Sequence, residues 1–337
     1  MPMTSFRILP LLGLIALTGA CSRETPATAA AEPAFSSENS RSIVLQTDWF
    51  PQAEHGGYYQ ALARGFYAEA GLSVTIVPGG PGMAKIKQIV ARGDADFGLN
   101  RGDEIILAIA RENLPFAIVG AAMQHDTQAL LIHSDSPVRS FSDLDGSTVV
   151  ANPGQAWLAY IQKRYDVTLN LVPNNGNLAT FLSNPGVIQQ CILTSEPFTA
   201  RARGVAVRTL PLAESGYDNY SVIFGRRDFV EANPEATRAF VAASIRGWRD
   251  FLEGDPAPAF DEILRRNPSM SRELMAFARE ELIRNHTVLG DPADGEIPGR
   301  LDPARLRSQI EALVNLGILE NPIPVGEVAS RSALKPE

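Results

Sequence analysis

Asp48, Trp49, His55 and Tyr58 crowd into one short stretch, Asp48-Trp49-Phe50-Pro51-Gln52-Ala53-Glu54-His55-Gly56-Gly57-Tyr58-Tyr59. These residue types suit recognition of a flat polar ring rather than bond breaking. An exposed indole can lie on a planar ring and add on the order of 1 kcal/mol beyond area burial. A carboxylate and an imidazole beside it can accept from or donate to ring nitrogens. Each residue also has a plainer role open to it: Trp49 in the core, His55 as a cap on the helix that follows. Of Tyr58 and Tyr59 one should face a ligand and the other pack, and helical spacing does not say which. Further polar candidates stand beyond other short strands: Asn100, then Asn152 and Gln155, then Glu196, then Tyr217, Asn219 and Tyr220. Glu196 can equally be a carboxylate that favours a helix N-terminus. Gly79-Gly80-Pro81-Gly82 lacks the Lys-Ser/Thr that a phosphate loop needs. No Ser/His/Asp arrangement and no metal-ligand spacing is visible, so neither a metal nor a cofactor is expected.

These residues need strands that end and helices that begin. Ile43-Val44-Leu45 is a buried-strand pattern that must stop by Pro51, which has no N–H for a ladder. Tyr58, Leu62 and Phe66 recur at helical spacing, and Gly71 stands where a helix commonly ends in a left-handed residue. Strand, polar loop and helix then recur: Leu72 to Val77, Met83 to Val90, Phe97 to Leu99, Glu104 to Arg111 and Phe116 to Ala121. Beyond Asn233 the pattern is helical almost to the end. In open α/β sheets the loops at the carboxyl ends of parallel strands hold ligands.

The chain has 337 residues, 45% hydrophobic and 20% charged, which suits two compact lobes. A formal net charge of −8 without a basic run argues against nucleic acid. Arg7 precedes an apolar run from Ile8 to Leu17, too short to span a membrane and of signal-peptide length. The run ends in Leu17-Thr18-Gly19-Ala20-Cys21, which resembles a bacterial lipoprotein processing site with Cys21 as the lipidated residue. An ordinary signal peptidase site is the alternative. Residues 22–40, rich in Ala, Ser, Thr, Pro and Glu, read as a tether. Cys191 is the only other cysteine, so no disulfide is expected.

Several motifs together resemble one family: Asp48-Trp49-Phe50-Pro51 through His55-Gly56-Gly57-Tyr58, Arg64-Gly65-Phe66-Tyr67-Ala68-Glu69-Ala70-Gly71-Leu72, Gly93-Asp94-Ala95-Asp96-Phe97-Gly98, Leu144-Asp145-Gly146, Ser195-Glu196-Pro197 and Asn233-Pro234-Glu235. The family is that of bacterial ABC-importer solute-binding proteins for nitrate, sulfonates, taurine and the pyrimidine precursor of thiamine, with the related fungal precursor synthases. The resemblance implies a type II periplasmic-binding-protein fold, two α/β lobes joined by two crossover strands, with a helical C-terminal region. On this chain it implies a signal peptide over 1–21, the tether, lobe one over 41–128, lobe two over 129–220, a return to lobe one with helices over 221–320, and a tail over 321–337. The crossings are expected near Met123 to Ser134 and Tyr217 to Arg226.

The same resemblance implies a small-molecule solute, a permease and its ATPase as partners, and an exported monomer held by lipid in the periplasm or at the cell surface. It puts Glu196 in the cleft, where it could pair with an exocyclic amine. An aromatic, neutral-to-acidic set suits a planar nitrogen heterocycle, such as the thiamine pyrimidine precursor, better than a sulfonate or nitrate, for which Arg or Lys would be expected. Fungal members are enzymes that use iron and consume pyridoxal phosphate and an active-site histidine. This chain departs from them in three places. A cysteine-rich run is replaced by Glu214 to Tyr220, the histidine position falls near Glu104, and Asn152-Pro153-Gly154-Gln155 lacks a phosphate-loop lysine. A binding protein is therefore expected, with a synthase-like enzyme or an anion-binding protein as alternatives. For the anchor, Cys21→Ser is expected to abolish incorporation of a labelled lipid precursor; retained label would refute lipidation at that residue.

Overall fold

The computed structural model describes residues 40–80, 83 and 85–334. The signal-peptide, Cys21 and most of the tether expectations lie outside them. Two five-stranded sheets form the body. The first contains β1 (Arg41–Gln46), β2 (Leu72–Val77), β3 (Phe97–Arg101), β4 (Phe116–Met123) and, from much later in the chain, β10 (Ser221–Arg226). The second contains β5 (Gln128–His133), β6 (Thr148–Ala151), β7 (Asn170–Pro173), β8 (Val187–Ile192) and β9 (Val207–Pro211). Their orders are β2-β1-β3-β10-β4 and β7-β6-β8-β5-β9.

Each sheet has a parallel part and one antiparallel strand placed next to an edge. β1 runs parallel to β2 and β3, whereas β10 is antiparallel to β3 and β4. β6 runs parallel to β7 and β8, whereas β5 is antiparallel to β8 and β9. Sequence follows position. β4 and β5 are buried at every residue; β4 is apolar throughout and β5 is apolar between Gln128 and His133, as doubly covered strands tend to be. The edge strand β2 alternates buried and exposed, and the edge strand β7 is exposed throughout.

The connections between the lobes are shorter than expected. β5 lies wholly in the second sheet and β10 wholly in the first, so the crossings are residues 124–127 and 212–220. Extended segments near the crossings satisfy their backbone groups in ladders, which draws them into the sheets. The C-terminal region is helical, with Pro234–Glu253, Ala257–Arg266, Arg272–Arg284 and Pro303–Asn315 as its long elements. Among the described residues no helix is long and apolar enough to cross a membrane.

Lobe one is held by an unusually close helix pair. Helix Gly56–Ala63 packs on Pro234–Glu253, and glycines permit the approach. A Cβ at Gly57 would stand 2.2 Å from the Trp248 ring, and one at Gly56 2.5 Å from Phe251. Gly247 faces them, with room for a Cβ only 2.1 Å from the Gly57 carbonyl oxygen and 2.6 Å from the Ala61 methyl. The His-Gly-Gly motif is thus a packing device as well as a helix start. Gly71 has the left-handed conformation expected of it, φ 74°.

Gly247→Ala tests this packing. Alanine gains about 1 kcal/mol of helix propensity, but overpacking typically costs about 1–3 kcal/mol and here meets backbone. The variant is expected to melt at lower temperature than the wild type. A higher melting temperature would show that the helices part without penalty.

Candidate functional site

The carboxyl ends of β1, β3, β6 and β8 and both crossings surround a cavity of about 410 Å³ between the two sheets. Asp48, Trp49, His55, Tyr58, Gln155, Glu196 and Tyr220 line it, with Gln52, Glu54, Arg101, His125, Asp126, Gln190, Asn219 and Trp248 among the other lining residues.

The opening stretch is braced from within. His55, only 2% exposed, stands at the N-cap of the helix but its side chain makes no capping bond; its Nε2 donates to Asp48 Oδ1 at 2.8 Å across the loop that carries Trp49. The Trp49 carbonyl accepts from Thr47 Oγ1 at 2.9 Å and from the Gly79 N–H at 3.1 Å. A Cβ at Gly79 would stand 2.5 Å from the Thr47 carbonyl oxygen, so glycine lets this second loop reach the first. The Trp49 side chain is 44% exposed and meets Phe50 edge to face. It is therefore no core tryptophan. Tyr58 lines the cavity, edge-on to Trp248, while Tyr59 turns away toward Arg266.

Three expected positions fall outside the lining. Asn100 is on β3, where side chains alternate, so Leu99 and Arg101 reach the cavity and Asn100 does not. Its Oδ1 accepts from the Arg101 N–H. Asn152 is exposed, tied to Gln190 through its backbone N–H. Tyr217 is buried behind the wall and donates to Asp103 Oδ2 at 2.9 Å. Gln155 does line the cavity, but its Oε1 accepts from the Trp157 indole at 2.6 Å.

A cation that motif reading overlooked joins the wall. Arg101 donates through Nε and Nη2 to Asp103 at 3.1 and 2.9 Å, and its Nη1 is 3.6 Å from Asp126 Oδ2. Burial disfavours the Asp103 carboxylate, but Arg101 and Tyr217 more than offset it and hold Asp103 below the usual range. Asp126, whose burial dominates, is pushed up. The expectation of a wall without Arg or Lys is corrected, while two carboxylates around Arg101 keep that region from being a simple anion site.

Glu54 and Glu196 approach the cavity from opposite lobes. Glu54 accepts from the Thr194 hydroxyl, and Glu196 Oε2 accepts from the Ile192 N–H at 2.8 Å from the first turn of its helix. Burial pushes both carboxyls up, and the charge of Glu54 adds to the rise at Glu196. Neither forms an ion pair with Lys or Arg among the described residues.

Buried polar atoms without hydrogen-bond partners gather here. His55 Nδ1, Tyr58 Oη, Arg101 Nη1, Asn219 Nδ2 and Trp248 Nε1 all belong to lining residues. The Trp248 indole faces the Tyr58 hydroxyl and the Asn219 amide that of Tyr217, each opposing the rise that burial gives the phenol. A buried group left unsatisfied costs about 1–3 kcal/mol. Among the described residues no group of three or more His, Cys, Asp or Glu is placed to hold a metal ion.

Both crossings are tied to the C-terminal region at the cavity's edge. His125, on the first crossing, faces Asp218 Oδ2 at 2.7 Å through Nδ1 and Glu296 Oε2 at 2.9 Å through Nε2. Arg305 donates to the Asp218 carboxylate, to Glu296 and to the Gln124 carbonyl, and its guanidinium lies 4.1 Å from the centre of the Tyr220 ring. Burial opposes protonation of His125 and Arg305 opposes it too, but Asp218 and Glu296 prevail and raise its pKa.

Comparison with known proteins places this architecture. A family model described as NMT1/THI5 like matches residues 52–259. The riboflavin-binding protein RibY of Chloroflexus aurantiacus is 28% identical over 297 residues, covering 83% of this chain and 84% of its own. The 4-amino-5-hydroxymethyl-2-methylpyrimidine phosphate synthase of Aspergillus parasiticus is 25% identical over 248 residues, 68% of this chain and 71% of its own. The periplasmic aliphatic sulphonate binding protein SsuA of Escherichia coli superimposes with a TM-score of 0.65 over 88% of this chain and 94% of that one; at 12% identity this shows a shared periplasmic-binding-protein fold.

The raised pKa of His125 sets a pH dependence. Its stabilisation is complete below the unfolded value of about 6.5 and declines as pH rises through the higher folded value. His125→Gln is expected to lower the melting temperature more at pH 6 than at pH 9. An equal loss at both would remove the imidazolium from the crossing.

Proposed function

Because the chain belongs to the NMT1/THI5-like family, we propose that it is the extracytoplasmic solute-binding protein of an ABC importer and carries an uncharged planar nitrogen heterocycle to a permease. The observation that carries this is the cavity itself, with an exposed indole at its rim and an aromatic and polar lining. An indole contributes by stacking on a flat ring, and the polar lining side chains can hydrogen-bond ring substituents. Glu54 and Glu196, uncompensated by cations, oppose an inorganic or sulfonate anion.

Size and likeness favour a flavin over a single-ring pyrimidine. Cavities from about 300 Å³ upward hold drug-sized ligands, and the likeness to the riboflavin-binding relative spans most of both chains. The synthase-like reading has less support, because the chain lacks the cysteine run, the histidine and the lysine loop that reading requires. Closure of the lobes about the crossings would give the permease a ligand-dependent shape. Export, a lipid anchor at Cys21 and a monomeric state complete the proposal.

A thermal-shift and titration screen of riboflavin, the thiamine pyrimidine precursor, alkanesulfonates and nitrate tests it. Riboflavin is expected to bind; a response to the anions alone would sink the heterocycle reading. Trp49→Ala is expected to weaken binding about tenfold or more while leaving the melting temperature of the free protein nearly unchanged. Undiminished affinity would remove the indole from the site.

A further inference from the structure

Glu54 and Glu196 belong to different lobes, yet each feels the other's charge. Glu54 lies in the turn Ala53–His55 ahead of the first helix of lobe one, and its carboxylate accepts from the hydroxyl of Thr194, just beyond β8 of lobe two. Glu196 opens the helix Glu196–Ala202 and lines the same cavity. Further along that helix Phe198 meets Phe277 of the helix Arg272–Arg284, with ring centres 5.4 Å apart, and the Arg201 guanidinium lies 5.9 Å from the centre of the Phe277 ring. The lobes clasp along this flank, and the two carboxyls meet because they do.

Among the described residues the charged groups near the pair are otherwise engaged or exposed. His55 and Asp48, beside Glu54 in its own loop, are bonded to each other. On the helix Arg272–Arg284, which packs against the Glu54 turn, Arg272 is bonded to Asp261, Arg284 to Glu281 and Arg279 to the carbonyls of Phe251 and Leu252, while Glu273 and Glu280 are exposed. Around Glu196 are the buried Cys191 thiol of β8, the exposed Arg201 of its own helix, and Arg208 of β9, which donates to the carbonyls of His133 and Ser136. Elsewhere on the cavity wall Arg101 is held by Asp103 and Asp126, and His125 by Asp218 and Glu296. Nothing but a proton is left to neutralise the pair around an uncharged solute.

We propose that closing the clamp on an uncharged solute takes up a proton at the Glu54 and Glu196 carboxyls, so that the solute is held more tightly in acid and given up more readily as pH rises. This rests on the uncharged-heterocycle reading and adds a means of regulation to it. With the lobes apart each carboxyl faces water and ionises in the ordinary carboxylate range. With the lobes together burial and mutual repulsion favour the neutral form. The closed state therefore binds more protons than the open one. By linkage the gain in affinity is complete below the ordinary carboxylate range and is lost as pH rises through the higher values of the closed state. A cationic solute would do the opposite, since it would keep both groups ionised.

Calorimetric titration of the full chain with riboflavin, an uncharged probe near neutral pH, in buffers of different ionisation enthalpy counts the protons exchanged on binding. Net uptake is expected at pH 6, with affinity about tenfold higher at pH 5 than at pH 8. Glu54→Gln and Glu196→Gln keep the side-chain shapes without the titration, and each is expected to reduce the uptake and flatten the pH dependence. Melting curves check both folds; should one variant fail to fold, the other reads the same pair, and the wild-type proton count stands without either. Riboflavin binding with no uptake, or with proton release, would overturn the proposal and leave the heterocycle reading intact. Uptake undiminished in both variants would place the proton on His125 or Asp126 and overturn it too. A chain that binds no uncharged ring compound at any pH would overturn the heterocycle reading and this inference with it.

Discussion

The geometry of the cavity depends on one charged knot. Two lobes joined by two short crossings could adopt many mutual orientations, and what limits them here is that both crossings are held by the same side chains. His125 on one and Asp218 on the other share a contact, and Glu296 and Arg305 close the ring from the C-terminal region. Buried charges are tolerated when each is paired and hydrogen-bonded, and the knot meets that condition with alternating sign. Its members also touch the site: His125 lines the cavity, and Arg305 covers the Tyr220 ring whose other side belongs to the wall. The C-terminal region thus braces both crossings, although it lies far from the cleft motifs in sequence.

Much of the frame was legible because it rests on local rules. The β1 strand, the left-handed Gly71 and the alternation of strands and helices follow from patterning and from single residues with one use. The two-lobed arrangement came through chain length and the resemblance rather than through periodicity. The site was legible where a motif stood at a strand end, as at Asp48, Trp49 and Glu196, and blurred where a register shift of one residue decides the face. Asn100 and Arg101 differ by that one step, and the step exchanges a neutral amide for a cation. Glu54 was hidden by its place in a helix start, and its role appears only with Thr194 of the other lobe. Asp126, which tempers Arg101, and Trp248, which sits in a long amphipathic helix, are brought in by tertiary packing alone.

The glycines give the two faces of the clamp different character. Gly56 and Gly57 let the Phe251 and Trp248 rings of the long C-terminal helix pack directly on the helix behind Trp49, and Gly247 meets the Gly57 carbonyl and the Ala61 methyl. The face opposite, around Asn152 and the exposed residues after β7, has few such contacts.

The position of β10 has a consequence for how the molecule comes into being. β10 lies between β3 and β4 and pairs with both, yet the whole second sheet separates it from β4 along the chain. Until β10 is available, β3 and β4 present two open hydrogen-bonding edges to each other across a gap, and lobe one has no finished sheet. Lobe two, by contrast, draws all its strands from one unbroken stretch. The second lobe can therefore acquire its topology first, and completion of the first waits on a distant strand, which delays native structure in a chain of this kind until most of it has been made.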